Sequence, residues 1–268
     1  MAIETGGVND KKINIITHSV GTFAESMAAI EKSSLTPTAR ALAMATLSSG
    51  QVTMHDFGDG QDPVLDVTRF YNHGVNVRLM NILAHELANK LKPGKPGSLV
   101  TVATSGVYPS QFIAQRMNLD FLVVKKGPPP ITFGNPRTVH SRSYTSDKPV
   151  VLSLSKECID RSVSPNWAFV DDFLDGGKTT VAAMQLMEEV GINLDMFAYP
   201  YIKCFAGGLD RLVGERRIPR GNIHSVLNLL ELTPEHMTVE GVDKRLRFAD
   251  RPTMLYRGGT VWQNRPGN

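Results

Sequence analysis

Apolar positions recur along the chain with two different periods. From Val77 onward, Met80, Leu83, Ala84, Leu87 and Leu91 fall at three- and four-residue spacing, which predicts a helix with one buried face. "KPGKPG" then stops it. The stretch to about Gly50 has helical composition broken at Pro37, with Thr36 placed to cap a helix and Gly50 to end it. Further on, the apolar residues run in short unbroken blocks. Residues 99–103 read as a buried strand, Thr104-Ser105-Gly106 as a turn, and the residues from Ser110 as a helix. "LDFLVV" is a second strand, with Lys125-Lys126 directly at its C-terminal end. "VVLSLS", "AFV" and "LDMFAYPYI" are further strands, and between the last two lies a helix with Ala183, Met184, Met187 and Val190 on one face and Gly191 as its stop.

Strand, turn and helix in repetition predict an α/β fold, with a mostly parallel central sheet and helices on its faces. In such sheets ligands bind beyond the C-terminal ends of the strands. "GPPPITFGNPRTVHSRSYTSDKP", from Gly127 to Pro149, is rich in Pro, Gly, Ser and Thr and too long for an ordinary connection. It reads as a lid or a hairpin.

The chemistry concentrates after "AFV". Asp171 and Asp172 leave that strand, Phe173-Leu174 follow, and Asp175-Gly176-Gly177-Lys178-Thr179-Thr180 turns into a helix. Like charges this close destabilise one another unless a cation sits among them. The turn itself suits an anion: free backbone N–H groups and the positive end of the helix dipole cradle phosphate, and the glycine pair admits close approach. The spacing of a Walker loop is absent, and acids rather than glycines precede the turn. Acids beside a phosphate cradle suit a sugar phosphate, the carboxylates taking sugar hydroxyls or a hydrated Mg²⁺.

Composition narrows the class. The chain has 268 residues, room for one large α/β domain or for a core with extensions. A formal charge of +3 is too small for a nucleic-acid binder, while a pI of about 8.8 agrees with a small anionic substrate. Cys158 and Cys204 lie far apart and read as free thiols in a reducing compartment. No apolar run approaches membrane-spanning length and no signal pattern opens the chain, so a cytoplasmic location is expected.

"FVDDFLDGGKTT" resembles the 5-phosphoribosyl-1-pyrophosphate (PRPP) motif of type I phosphoribosyltransferases: an apolar strand, two acids, two apolar residues, then a short phosphate loop. "VLDVTRFYNHGVNVRLMNILAHELANKL", "VTVATSGVYPSQFIAQRMNLDFLVVKK" and "YIKCFAGGLDRLV" are similar, in order, to segments of the xanthine phosphoribosyltransferases. The resemblance runs from about Asp62 to Val213. It implies a phosphoribosyltransferase core with a small hood over residues 51–215, an N-terminal extension over 1–50 and a C-terminal one over 216–268. It also implies transfer of the phosphoribosyl group of PRPP to a 6-oxopurine, xanthine favoured, by a homodimer using Mg²⁺.

By position, the resemblance gives Leu65, Asn72 and Lys203 to the base. Asp171 and Asp172 would face the ribose hydroxyls and the Mg²⁺, the metal held through water. Asp175, Gly176, Gly177, Lys178 and Thr179 would cradle the 5-phosphate. Thr104, Ser105, Gly106, Lys125 and Lys126 would hold the pyrophosphate, with the segment from Gly127 closing over it. Two departures stand out. Ala103 replaces an acid of the xanthine enzymes, and Asp175 before Gly-Lys-Thr resembles the hypoxanthine-guanine enzymes, where that acid is the catalytic base.

Two other functions are open at this point: transfer to another nitrogen heterocycle, which the unmatched ends would serve, and a PRPP-sensing transcription regulator, since "VVLSLSKE" resembles a purine repressor of this fold. The first fifty residues contain few Lys or Arg and no helix-turn-helix pattern, which disfavours the regulator. "THSVG" at Thr17 has threonine where a nucleophile elbow needs glycine, "DFG" at Asp56 lacks kinase companions, and the histidines show no paired ligand spacing. His73 beside Asn72 reads as packing.

Overall fold

A computed structural model describes residues 20–56, 61–131, 135–142, 149–160, 166–250, 254–257 and 260–263. Two helices open it. α1 (Phe23–Lys32) starts at a capping box in which Thr22 accepts from the Glu25 amide while the Glu25 side chain accepts from the Thr22 amide. α2 (Pro37–Ser49) starts at Thr36, whose hydroxyl accepts from the Ala39 amide, and ends at Gly50, as expected. β1 (Gln51–Asp56) and β2 (Gln61–Asp66) pair antiparallel, and a π-helical turn, Thr68–Asn72, leads to α3 (Val77–Leu91). The periodic residues Met80, Leu83, Ala84, Leu87 and Leu91 of α3 are all buried.

The main sheet is built from β3 (Ser98–Val102), β4 (Asp120–Lys126), β7 (Trp167–Val170), β9 (Leu194–Lys203) and β10 (Ile223–Leu232), all parallel to their neighbours in the order β10-β9-β7-β3-β4. Helices cover both faces, so β3 and β7 are buried along their whole length and read as continuous apolar blocks. On one face α2, α3 and α4 (Val107–Met117) share a core with β10. On the other α6 (Lys178–Glu188) packs Ala182, Ala183, Met184, Leu186 and Met187 against Phe169, Phe197 and Tyr199.

Antiparallel strands extend the sheet at both edges. β6 (Pro149–Ser155) joins β4, and β5 (Pro136–Arg142) joins β6, so the long Pro- and Gly-rich segment contains a hairpin. α5 (Lys156–Asp160) follows it. At the other edge β11 (His236–Val239) and β12 (Leu246–Arg247) follow β10, while the two-residue β8 (Phe173–Leu174) pairs with β9. A second sheet, in the order β14-β13-β1-β2, takes β13 (Met254–Arg257) and β14 (Thr260–Gln263).

Two expectations need correction. α4 begins at Val107 rather than Ser110, because Pro109 is tolerated in a first turn, where its missing N–H costs nothing. α6 ends at Glu188, and Val190 lies in the turn that closes on Gly191 at φ +83°. After residue 215, β10 to β12 continue the main sheet and β13 and β14 join the small one. "THSVG" from Thr17 to Ser19, and Phe57-Gly58 of "DFG", lie outside the described residues. Among the described residues no helix is long and apolar enough to cross a membrane.

Candidate active site

The C-terminal ends of β7, β3, β4 and β9 meet around the acidic turn. Leaving β7, Asp171 donates its amide to the Ala198 carbonyl at 3.2 Å, which holds it against β9 and leaves its side chain 8% exposed. Asp171 Oδ1 accepts from the Asp172 amide at 3.0 Å, and Asp172 Oδ1 from the Phe173 amide at 3.0 Å. β8 then carries the chain beside Tyr201 and Ile202 into residues 175–177 and α6. Gly177 caps α6 at φ +73° with no side-chain cap, so the first-turn amides keep no intrahelical partner.

Glycines set the spacing at two places. A Cβ on Gly106 would meet Asp171 Oδ1 at 2.3 Å and Thr101 Oγ1 at 2.5 Å, so only glycine lets the turn after β3 press against the acid. A Cβ on Gly208 would lie 1.9 Å from the Asp175 carbonyl oxygen. Gly208 and Arg211, whose guanidinium donates to the Gly176 carbonyl, therefore brace the glycine turn before α6 from behind. Sequence reasoning assigned neither, although both sit in "YIKCFAGGLDRLV", and the glycine pair there was the available signal.

A cavity of about 170 Å³ opens at this junction, lined by Ser105, Lys126, Asp171, Asp172, Phe173 and residues 175–180. It brings together most of the expected phosphate and ribose ligands: Asp175, Gly176, Gly177, Lys178 and Thr179 with the two acids. Thr104 and Gly106 flank Ser105 in the same turn, whose Ala103–Thr104 peptide is cis. Lys125 departs from expectation. Successive residues of a strand point to opposite faces, and Lys125 lines a different groove with Trp167, Ser155 and Cys158 while Lys126 faces the acids.

The three expected base residues scatter. Leu65 lies in the apolar core, on β2 opposite Val52, and lines no part of the cavity. Asn72 ends the π-helical turn with Oδ1 buried and without a hydrogen-bond partner among the described residues. Lys203 is 4% exposed; its ammonium donates to Asp175 Oδ2 at 2.6 Å and lies 5.8 Å from the centre of the Phe173 ring. Asp175 Oδ1 is also buried without a partner. Beyond Asp175 a second cavity of about 330 Å³ is walled by Pro63, Phe205, Leu230 and Leu232, with Asp62 and Glu231 at its edge.

The charges divide unevenly. Asp175 has its cation in Lys203. Asp171 and Asp172 make no ion pair among the described residues, and burial, then the neighbouring Asp172 charge, push the Asp171 carboxyl well above the usual carboxylate range. Two carboxylates short of a cation are a donor set for a hard, hydrated divalent ion, and Mg²⁺ fits them.

No protein-family model matches the chain. Among curated proteins it is 30% identical over 151 residues to xanthine phosphoribosyltransferase 1 of Clostridium botulinum, covering 56% of this chain and 78% of that one. It is 31% identical over 147 residues to xanthine phosphoribosyltransferase of Chloroflexus aurantiacus, covering 55% and 68%. Among solved structures it superposes on adenine phosphoribosyltransferase of Giardia lamblia bound to 9-deazaadenine with TM-score 0.54 at 16% identity, over 72% of this chain and 98% of that one. The Trypanosoma brucei adenine enzyme, in complex with AMP, pyrophosphate and ribose-5-phosphate, gives 0.54 at 16%, over 73% and 81%. At such identities the structures speak for the fold, and the curated relatives speak for descent. With the acidic strand end, the glycine-braced phosphate loop and this kinship together, the chain belongs to the type I phosphoribosyltransferases.

Proposed function

We propose that this phosphoribosyltransferase moves the 5-phosphoribosyl group of PRPP onto a ring nitrogen of a 6-oxopurine, xanthine favoured, releasing pyrophosphate. The Lys203–Asp175 pair carries the proposal. An ammonium and a carboxylate 2.6 Å apart match the edge on which a 6-oxopurine sets its carbonyl oxygen beside a ring N–H. Lys203 spends one of its three N–H donors on Asp175 and keeps the others for the carbonyl, while Asp175 Oδ1, lacking a partner, accepts the ring proton.

The remaining roles follow the layout of the cavity. The loop from Asp175 to Thr179 binds the 5-phosphate through the first-turn amides of α6 and the Thr179 hydroxyl. Asp171 and Asp172 face the ribose and hold hydrated Mg²⁺, which would add positive charge against the departing pyrophosphate. Lys126 and the turn Thr104-Ser105-Gly106 bind that leaving group. As the anomeric bond breaks, the two carboxylates stabilise the cationic sugar, and Asp175 removes the purine proton as the nitrogen attacks. The β5–β6 hairpin beside Lys126 is placed to exclude water.

One observation favours a second acceptor. The 330 Å³ cavity beside Asp175 is walled in part by Leu230 and Leu232 of β10, beyond the stretch that resembles the xanthine enzymes, so this chain shapes its acceptor pocket with residues of its own. Pyrophosphate release from PRPP over a panel of xanthine, guanine, hypoxanthine, adenine and non-purine heterocycles separates the two. Oxopurines should lead; activity with a non-purine alone puts the second acceptor in place of the first.

A further inference from the structure

Leu230 lies on an interior strand of the main sheet yet packs into neither hydrophobic core. Its neighbours Leu227 and Leu229 are 0% exposed and belong to the core that β10 shares with α2 and α3. Leu230 is half-buried and belongs to neither core cluster among the described residues. The pairing with β11 explains this. Leu229 stands opposite Val239 and Glu231 opposite Thr238, so β10 has two residues where β11 has one, and Leu230 is the extra one. A bulge of this kind re-aims a side chain out of the strand's alternation. It falls beside the expected chemistry, because Leu229 is in register with Lys203 on the neighbouring β9.

The bulge delivers Leu230 to the cavity that it lines with Leu232, Pro63 and Phe205. Phe205, 44% exposed, is a second large apolar side chain in neither core cluster. Asp175 lines this cavity and the phosphate-loop cavity alike, so a molecule held here meets the phosphoribosyl site at that carboxylate. The lining also says what such a molecule lacks. Among the described residues lining it, the charged ones are Asp62, Asp175 and Glu231, all acids. The cations nearby are already matched, Lys203 to Asp175 at 2.6 Å and Arg245 to Glu231 at 3.2 Å. A carboxylate placed here would lose its water against apolar side chains and meet like charge. We propose that Leu230 is a specificity-determining residue: it selects an acceptor that is a flat nitrogen heterocycle without a carboxylate, and buries its apolar surface. This deepens the phosphoribosyltransferase reading and rests on it.

The full-length protein tests this in assays of pyrophosphate release at saturating PRPP, with the acceptor panel extended by orotate and nicotinate. The acceptor used best should carry no carboxylate. Leu230→Ala should raise the KM of that acceptor on the order of tenfold. Its PRPP affinity, read by calorimetry with Mg²⁺, and the Tm of the free variant should stay level. Leu229→Ala is the control: it opens a hole in the core, so Tm should fall. Leu230→Lys places a cation on the wall and should narrow the preference over orotate and nicotinate. An unchanged acceptor KM in Leu230→Ala, a carboxylated heterocycle used best, or PRPP bound with no acceptor used would overturn the assignment. Failure of the unmodified protein to bind PRPP defeats the phosphoribosyl reading itself and this inference with it, a distinct result.

Discussion

Two acidic centres lie within five residues of each other and are solved in opposite ways. Asp175 is matched to Lys203 inside the protein, whereas Asp171 and Asp172 are left beside one another with no ion pair among the described residues. A carboxylate with its own cation is held at a fixed place. A buried carboxyl beside a second acid weakens the free protein and is relieved by a ligand that brings positive charge. On the proposed reading, one stretch of chain would serve both as a proton acceptor and as a site completed by the substrate's metal.

Breaking the unpaired centre should cost most. The double change Asp171→Asn with Asp172→Asn removes both charges and keeps the backbone bonds, since an amide oxygen still accepts from the amides of residues 172 and 173. Turnover should fall by on the order of 10³ or more, with far-UV circular dichroism unchanged. Breaking the paired centre should cost less. Asp175→Asn should lower kcat by about 10²–10⁴ while PRPP affinity, read by calorimetry, changes little; an equal loss of affinity would make Asp175 only a wall of the phosphate loop. Smaller again, Lys203→Ala should raise the KM for an oxopurine by roughly 10- to 100-fold and flatten the preference over adenine, in steady-state assays at saturating PRPP.

The smallest effect is on stability, and its sign separates the two centres. The Asp171 carboxyl is raised above its unfolded range, so between that range and its folded value the native state holds more protons than the unfolded one. Stability of the free protein should therefore fall as pH rises through that window. Asp171→Asn should remove this slope and raise Tm at neutral pH by a few degrees, roughly, as thermal melts across pH would record.

How much was legible beforehand follows from where each feature stores its information. The central strands announce themselves as apolar blocks because both faces are covered, and the phosphate loop because its acids, glycines and threonines are consecutive in sequence. What the sequence left hidden depends on direction or distance. Lys125 and Lys126 are adjacent in the chain yet face opposite sides of β4, and no composition reveals which. Gly208 and Arg211 act on a loop more than thirty residues earlier, one by leaving room for the Asp175 carbonyl and the other by donating to the Gly176 carbonyl, contacts that only the fold creates. Leu65, given to the base by resemblance, buries its side chain in the core. The strands after residue 215 read as an extension because the resemblance stops near Val213, while the sheet does not.

The central claim is that the carboxylate pair awaits a metal-bearing phosphoribosyl ligand, and titration of PRPP into the full-length protein with and without Mg²⁺ tests it most directly. The account predicts one site, with binding that needs Mg²⁺, weakens as pH falls and Asp171 is protonated, and disappears in Asp171→Asn with Asp172→Asn. Binding of equal strength to that variant, or none to the unmodified protein with Mg²⁺ present, would contradict it.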